Sequence, residues 1–469
     1  MILVSTVFFL AVGLIPAYLL CGGSILTIPL SGATAGLICA IAGMASITTR
    51  TALLPWVALS WAVAVGAAHW ASRTSRSRSE GDGSPRPARR ADYWRSATSL
   101  AIIASIVSPT LLATRSAPIA WDARSIWFFH AQWFQAGGAR AASSMANPAF
   151  AFAQADYPPL TAASTATLWN VYRGGDRWVA LTINLWLTLS AVVLVGMMVT
   201  RLARARAQPP AALACGLLGL AMFGTAGGTA TDGLVDLLWA AWLTAGAVTL
   251  LLLPTTRANQ LTGMVCVSAA SMTKAEGLAV GLLVVAAVTV RHRRHIRHAT
   301  WAVLALAPAL AWVALMRALG AHGTGALYGA GIRGLLRGDP TVLDRIGPTV
   351  SSLWSELAPL GAVATVLMAL ASFPLARHRH HLGLGLGTQM LSLPTVIPVI
   401  YFFVYVTGVF EIHWWLSSSL GRATIVVRTL LLTEIAIWLI VLIDLIVCGD
   451  KRTTTAPRKT GLQTPADLA

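Results

Sequence analysis

The chain has 469 residues, of which 56% are hydrophobic and only 11% are charged, and its mean hydropathy is +0.70. In soluble domains roughly a quarter of all residues are charged, so this composition excludes a soluble globular protein. The formal net charge of +17 does not indicate nucleic-acid binding, because the arginines stand in short segments between apolar runs, where basic residues set membrane topology. The sequence therefore predicts an all-α polytopic membrane protein, a bundle of transmembrane helices.

About 13 apolar runs approach the roughly 20 residues that a helix needs to cross a bilayer. The predicted spans lie near residues 1–20, 26–46, 51–71, 96–114, 175–200, 209–226, 232–254, 259–273, 277–290, 299–318, 351–373, 385–407 and 423–447. A further helical stretch at 158–171 is short and polar for a span, and we predict that it is re-entrant or interfacial.

The segment 72–95 between the third and fourth predicted spans is rich in Ser, Gly, Pro and Arg, and this composition predicts a disordered linker. Basic loops stay in the cytoplasm, so we place this linker and the polar tail 449–469 there. The span 96–114 then runs outward, and the loops 115–157, 319–350 and 408–422 face outside. This topology divides the chain into N-terminal membrane helices at 1–71, the linker, a main membrane unit at 96–448 and the tail.

The longest outer loop contains the sequence WDARSIWFFHAQWF at 121–134, in which aromatic residues recur at helical spacing. Tryptophans settle at the headgroup level of a bilayer, so one interpretation is an interfacial anchor helix with Asp122 as its N-terminal cap. The other interpretation places Asp122 at the membrane surface, facing a cavity, as a general base. Pairing of Asp122 with Arg124 would instead make the carboxylate structural.

Asp156 and Tyr157 precede two prolines, a pattern that predicts an extended segment leading into a helix. Either side chain can also line the cavity of Asp122. Asp232 and Asp236 lie four residues apart, which puts them on one face of a predicted helix. Asp232 is a candidate cap, whereas a carboxylate inside an apolar span, such as Asp236, usually faces a cavity or a partner.

Several cations lie near the outer ends of predicted spans. Lys274 and Glu276 stand at a break between two short spans. One interpretation is an ion pair between them, and the other is that the lysine binds a phosphate. His413, Arg422 and Arg428 flank the last outer loop, and Arg428 lies several residues inside a span, which is costly unless it meets an anion. The five cysteines form no CxxC pair and the histidines of the inner segments are loosely spaced, so we predict no metal and no cofactor.

These motifs, in this order, resemble those of the GT-C superfamily of membrane glycosyltransferases, in particular bacterial proteins similar to protein O-mannosyltransferases and to the lipid A aminoarabinose transferase. The resemblance covers roughly residues 96–430. Trp121, Asp122 and Trp127 match a W-D-x-x-x-x-W pattern of the family, and Tyr157 to Leu160 match its Y-P-P-L pattern. Asp232 and Asp236 match the acidic start of a span, and Lys274, Glu276 and Gly277 match a K-x-E-G pattern. A late W-x-L-x-x-S-x-x-R pattern is matched by Trp414, Leu416, Ser419 and Arg422. The chain departs from the family in two ways. Three additional spans precede the first motif, and Trp415 occupies a position where relatives often have His, while the histidine of this chain, His413, stands two positions earlier.

The resemblance implies a GT-C-like fold in the inner (plasma) membrane, with an active site that faces outside. A sugar would pass from a polyprenyl-phosphate donor to a hydroxyl of a glycan, lipid or protein acceptor, with inversion. Asp122, or Asp156, would be the catalytic carboxylate, and Lys274, Arg422 and Arg428 would hold the donor phosphate. The residues expected to line the substrate cavity are Trp121, Trp127, Tyr157, Asp232, Asp236, Glu276 and His413.

Two other functions remain compatible with the sequence. A non-catalytic flippase or transporter of lipid-linked sugars also needs basic residues for a phosphate and buried charges along its path. A polymerase or ligase of lipid-linked glycans is the second alternative. The glycosyltransferase hypothesis predicts that Asp122, Lys274 and Arg422 surround one cavity that is open to lipid.

Overall fold

The computed structural model describes residues 2–21, 24, 26–79, 120–203, 208–292, 296–321, 328–378 and 384–449. Across these residues the regular structure is helical and no strand occurs, which confirms the predicted all-α class. The predicted span 96–114, most of the linker 72–95 and all but the first residue of the tail 449–469 lie outside the described residues.

Three long helices open the chain: α1 (Ile2–Cys21), α2 (Thr27–Thr49) and α3 (Leu53–Ser79). The third helix continues past residue 72, so the start of the predicted linker is helical. A Cβ at Gly36 of α2 would lie 2.8 Å from the side chain of Leu160, so the glycine lets α2 and α6 pack closely. The N-terminal helices therefore pack into the same bundle as the rest of the chain.

The predicted outer loop 115–157 is largely helical where the structure describes it. It forms a π-helix (Ala123–Phe128), α4 (Phe129–Gln135), α5 (Gly138–Ala146) and a 3₁₀ helix (Pro148–Ala153). The short lengths follow from Gly137 and Pro148, which interrupt the backbone hydrogen bonding of a continuous helix.

Six helices form the centre of the bundle: α6 (Leu160–Tyr172), α7 (Arg177–Thr200), α8 (Gln208–Thr231), α9 (Asp236–Leu251), α10 (Arg257–Ser271) and α11 (Ala275–Arg291). Every residue of α9 is buried, because α7, α10 and α11 pack around it. A helix that is apolar on all sides must be enclosed, and Trp239 and Trp242 of α9 are among the largest fully buried side chains. This buried helix begins at Asp236, which places a carboxylate at one end of the core.

The C-terminal part contains α12 (Ile296–Leu304), α13 (Ala307–Ala318), α14 (Gly329–Arg337), α15 (Pro340–Leu343), α16 (Ile346–His378), α17 (Leu384–Thr407), α18 (Ile412–Trp415), a second π-helix (Leu416–Leu420), α19 (Gly421–Ala423) and α20 (Ile425–Gly449). The last long helix, α20, packs against α9, α16 and α17.

Six helical segments among the described residues are long and apolar enough to cross a membrane: Thr27–Thr49, Leu53–Arg73, Arg177–Thr200, Pro210–Thr231, Pro340–Ser372 and Ile412–Ile446. They fit a membrane protein, but the predicted count of about 13 spans is not confirmed. Several predicted spans are too short as they fold. At 1.5 Å per residue, the 15 residues of α10, which covers most of the predicted span 259–273, reach about 23 Å, against the roughly 30 Å of a hydrocarbon core.

Candidate functional site

A cavity of about 340 Å³ opens where the first π-helix, the starts of α9 and α11, the end of α17 and the segment 410–423 meet. Its lining includes three carboxylates, two cations and seven aromatic rings, and the rest is mostly aliphatic. The charged and aromatic lining residues are Asp122, Asp236, Glu276, Lys274, Arg422, Trp127, Tyr157, Tyr328, Tyr401, Tyr405, Phe410 and Trp415. The predicted convergence of Asp122, Lys274 and Arg422 on one cavity is therefore present.

Asp122 and Arg422 form an ion pair across this cavity, with 2.5 Å between Arg422 Nη1 and Asp122 Oδ2. The interpretation of Asp122 as a helix cap is wrong, because its backbone is already helical and its side chain caps no backbone N–H. The charge partner is Arg422, 300 positions away, and not Arg124. Each partner lies next to a π-helix. The first π-helix begins directly after Asp122, and the second ends at Leu420, two residues before Arg422. Single π-helical turns occur frequently at functional sites.

Lys274 lies between two carboxylates, 2.8 Å from Asp236 Oδ1 and 3.0 Å from Glu276 Oε1. The ion pair with Glu276 was predicted, and the contact with Asp236 also gives the buried carboxylate the partner expected for it. Burial alone would lower the pKa of Lys274, but Asp236 and Glu276 outweigh it and raise this pKa well above its ordinary value. The lysine is therefore a fixed positive charge in the cavity wall.

The prediction that Asp232 and Asp236 share one helix face is wrong. The helix α8 ends at Thr231, Gly233 turns the chain with a φ of +85°, and α9 begins at Asp236. The left-handed conformation of Gly233 ends the helical periodicity between the two carboxylates. Only Asp236 points into the cavity, whereas the Asp232 side chain lies outside its lining.

Aromatic side chains form much of the cavity wall. Tyr157 stacks on Trp127, with ring centroids 5.3 Å apart. The hydroxyl groups of Tyr405 and Ser419 share a 2.9 Å hydrogen bond, and the Tyr405 ring lies 4.8 Å from that of Trp415. Burial, followed by the charge of Glu276, raises the pKa of Tyr157 well above its usual range, so its phenol stays protonated as a hydrogen-bond donor.

Five predicted site residues lie outside the cavity lining: Trp121, Asp156, Asp232, His413 and Arg428. Trp121 is 59% exposed, and His413 is exposed in the short helix that Glu411 caps. The backbone carbonyl of Asp156 accepts a hydrogen bond from the Trp312 indole. Arg428 pairs with Glu356 at 3.2 Å and donates to the Gly421 carbonyl, so the anion that it meets is a side chain of this protein.

Sequence reasoning missed three tyrosines of the cavity: Tyr328, Tyr401 and Tyr405. The chain contains only seven tyrosines, and four of them line this cavity. A signal was present, because Tyr401 and Tyr405 are four residues apart in an apolar helix and must share a face. Such hydroxyl groups inside an apolar helix need polar partners, as Tyr405 finds in Ser419.

The aromatic residues after Trp127 pack inward instead of forming an exposed anchor. His130, Trp133 and Phe134 are at most 5% exposed, and the His130 ring stacks on that of Trp133. Burial lowers the pKa of His130 to about 4, against a smaller opposing contribution of a hydrogen bond to the Ala153 backbone. The folded protein thus keeps this imidazole neutral below its ordinary pKa of 6.5.

This burial predicts a loss of stability in acid. His130 of the unfolded chain binds a proton near pH 6.5, whereas His130 of the folded protein does so only near pH 4. The free energy of unfolding is therefore highest above pH 6.5 and falls as the pH is lowered from 6.5 to 4. The His130→Phe variant, which keeps the stacked ring, should lose about 2 kcal/mol less stability than the unaltered chain between pH 7 and pH 4.5. Thermal unfolding in detergent at pH 7 and pH 4.5 measures the difference. The exposed His413→Phe variant is the control, and an equal acid response of His130→Phe and the unaltered chain would contradict the prediction.

No group of three or more His, Cys, Asp or Glu side chains suited to a metal ion occurs within the described part of the chain. The absence of a metal requirement stays a prediction. Comparison of the chain with protein-family models, curated proteins and solved structures gives no match.

Proposed function

We propose that this chain is a membrane glycosyltransferase with a GT-C-like fold that moves a sugar from a polyprenyl-phosphate donor to an acceptor hydroxyl at the outer face of the plasma membrane. One observation carries the proposal: a single cavity contains the Asp122–Arg422 pair, the Lys274 cluster and an apolar wall. A donor of this class has the same three parts, namely a reacting sugar, a phosphate and a hydrocarbon chain.

The two cations retain donors for a phosphate. Lys274 offers three N–H groups, of which Asp236 and Glu276 engage two. Arg422 offers five, and Asp122 engages one nitrogen. Arg428 is not part of this proposed anion site, because Glu356 already pairs with it away from the cavity.

The apolar wall suits the lipid part of such a donor. Ile397, Ile400 and Val404 of α17 line the cavity together with Ala279 and Val280 of α11. Aliphatic side chains offer no hydrogen bonds to the hydroxyl groups of a free sugar, whereas burial of hydrocarbon contributes about 25 cal/mol per Å². The cavity composition thus favours an amphipathic donor with a charged head.

The reaction is a displacement at the anomeric carbon. The acceptor oxygen forms a bond to that carbon from the side opposite the phosphate, and the bond between the anomeric carbon and the phosphate oxygen breaks. The polyprenyl phosphate leaves with the bonding electron pair, held by Lys274 and Arg422, and the acceptor proton passes to the Asp122 carboxylate. A nearby carboxylate also stabilises the oxocarbenium-like transition state, and general base catalysis typically contributes 10²–10⁴-fold.

Mass spectrometry of the glycans and lipids of cells that lack the gene tests this function. We expect one sugar substituent to disappear from an envelope glycan, lipid or protein while its polyprenyl-phosphate form accumulates in the outer leaflet. Accumulation in the inner leaflet would instead identify a flippase. An unchanged set of glycans and lipids would contradict the proposal altogether.

A further inference from the structure

The helix α14 presents two different faces away from the protein. Ile332 and Leu336, one turn apart, are 48% and 82% exposed. Arg333 and Arg337 follow them by one position and are also exposed. Neither arginine forms an ion pair with any residue that the structure describes. The helix therefore exposes an apolar stripe beside a basic one, the pattern of helices that lie in a membrane interface.

The packing of α14 places it at the ends of two apolar helical segments. A Cβ at Gly331 would lie 1.8 Å from the carbonyl oxygen of Thr407, so the helix rests directly on the last residue of α17. The candidate span Pro340–Ser372 starts three residues after α14 ends. Both neighbours thus put α14 at the boundary of the apolar region, with Gly331 toward the protein.

We propose that α14 lies in the headgroup layer on the cavity side of the membrane, where Arg333 and Arg337 bind the phosphates of anionic lipids. Ile332 and Leu336 then reach the upper acyl carbons, which removes their exposed surface from water. Basic residues near an anionic leaflet are attracted by about 1 kcal/mol each, which corresponds to about fivefold enrichment per arginine. This inference does not depend on glycosyl transfer.

The location of α14 gives such lipid binding a consequence for the cavity. Tyr328, directly before the first residue of α14, lines the cavity and stacks on Trp415, with centroids 6.4 Å apart. Lipid headgroups held by α14 therefore lie next to a residue of the cavity wall. Any amphipathic ligand would enter the cavity from this lipid layer.

Fluorescence quenching in nanodiscs tests the proposal with the full-length chain. A fluorophore is attached to Leu336→Cys after replacement of the five native cysteines by alanine, and quenching by a spin-labelled anionic lipid is compared with that by a spin-labelled zwitterionic lipid. We expect the anionic lipid to be enriched at least fivefold near the fluorophore. The Arg333→Gln/Arg337→Gln variant should show no preference.

The matched control is the Arg140→Gln/Arg173→Gln variant, which removes two exposed charges elsewhere and should keep the preference. Equal quenching by both lipids in the unaltered chain, or the same preference in Arg333→Gln/Arg337→Gln, would overturn the assignment of phosphate binding. Quenching by aqueous iodide alone would overturn the interfacial location itself. Gel filtration of each variant establishes that the loss of preference is not a loss of fold.

Discussion

The Asp122→Asn variant is expected to transfer sugar at least two orders of magnitude more slowly than the unaltered chain, with the same yield and donor binding. Asparagine keeps the shape of the side chain and can still accept a hydrogen bond from Arg422, but it cannot take the acceptor proton. The stability cost is small, because both side chains of the pair are about one-third exposed. Initial rates in membrane vesicles with saturating donor measure the effect.

Two further variants separate catalysis from structure. Asp232→Asn removes a nearby carboxylate that lies outside the cavity and should retain full activity. The Arg422→Asp single variant places two negative charges side by side and should have a low yield. The exchange Asp122→Arg/Arg422→Asp restores opposite charges, so its yield should return to that of the unaltered chain while its transfer rate stays low. Full activity of the exchanged pair would show that Asp122 and Arg422 act only as a structural ion pair.

The Lys274→Met variant is expected to lose about 3–5 kcal/mol of stability, the usual cost of leaving a buried charge without its partner. The Asp236 side chain is only 5% exposed, and Lys274 is its ion-pair partner at 2.8 Å. Replacing both partners, in Lys274→Met/Asp236→Leu, should restore most of this stability, because a buried ion pair is often matched by apolar side chains of similar volume. Thermal unfolding in detergent measures both variants.

The same pair of variants tests the phosphate site. We expect Lys274→Met/Asp236→Leu to remain folded but to bind the donor at least tenfold more weakly, because Arg422 is then the only cation left among the described lining residues. Arg428→Gln is the matched control, since this arginine pairs with Glu356 outside the cavity and should leave donor affinity unchanged. Normal donor affinity of the folded double variant would remove Lys274 from the proposed site.

The helices were predictable from composition and apolar runs, because backbone groups in an apolar environment must bond within their own segment. The number of spans was not, since it depends on where each helix breaks. The apolar run 299–318, for example, breaks where Pro308 stands in the first turn of a new helix, so α12 and α13 are two short pieces. Gly233 likewise separates two carboxylates that a simple helical count placed together.

The candidate site was predictable in part, because charges are scarce in an apolar chain and each one must find a partner. Asp236, Lys274 and Glu276 were identified on this ground and do lie together. The partner of Asp122 was not predictable, since Arg422 and Arg124 are equally good cations and only the tertiary fold chooses between them. Local sequence also gave no reason to exclude Arg428, whose partner Glu356 belongs to another helix.

The most direct test of the central claim is complementation of gene-deleted cells with the Asp122→Asn variant, followed by mass spectrometry of the affected glycan and its lipid-linked donor. The proposed mechanism predicts that the variant reaches the membrane at normal levels, that the sugar stays missing, and that its polyprenyl-phosphate donor accumulates on the outer leaflet. Restoration of the sugar by the Asp122→Asn variant would contradict a catalytic role for this carboxylate.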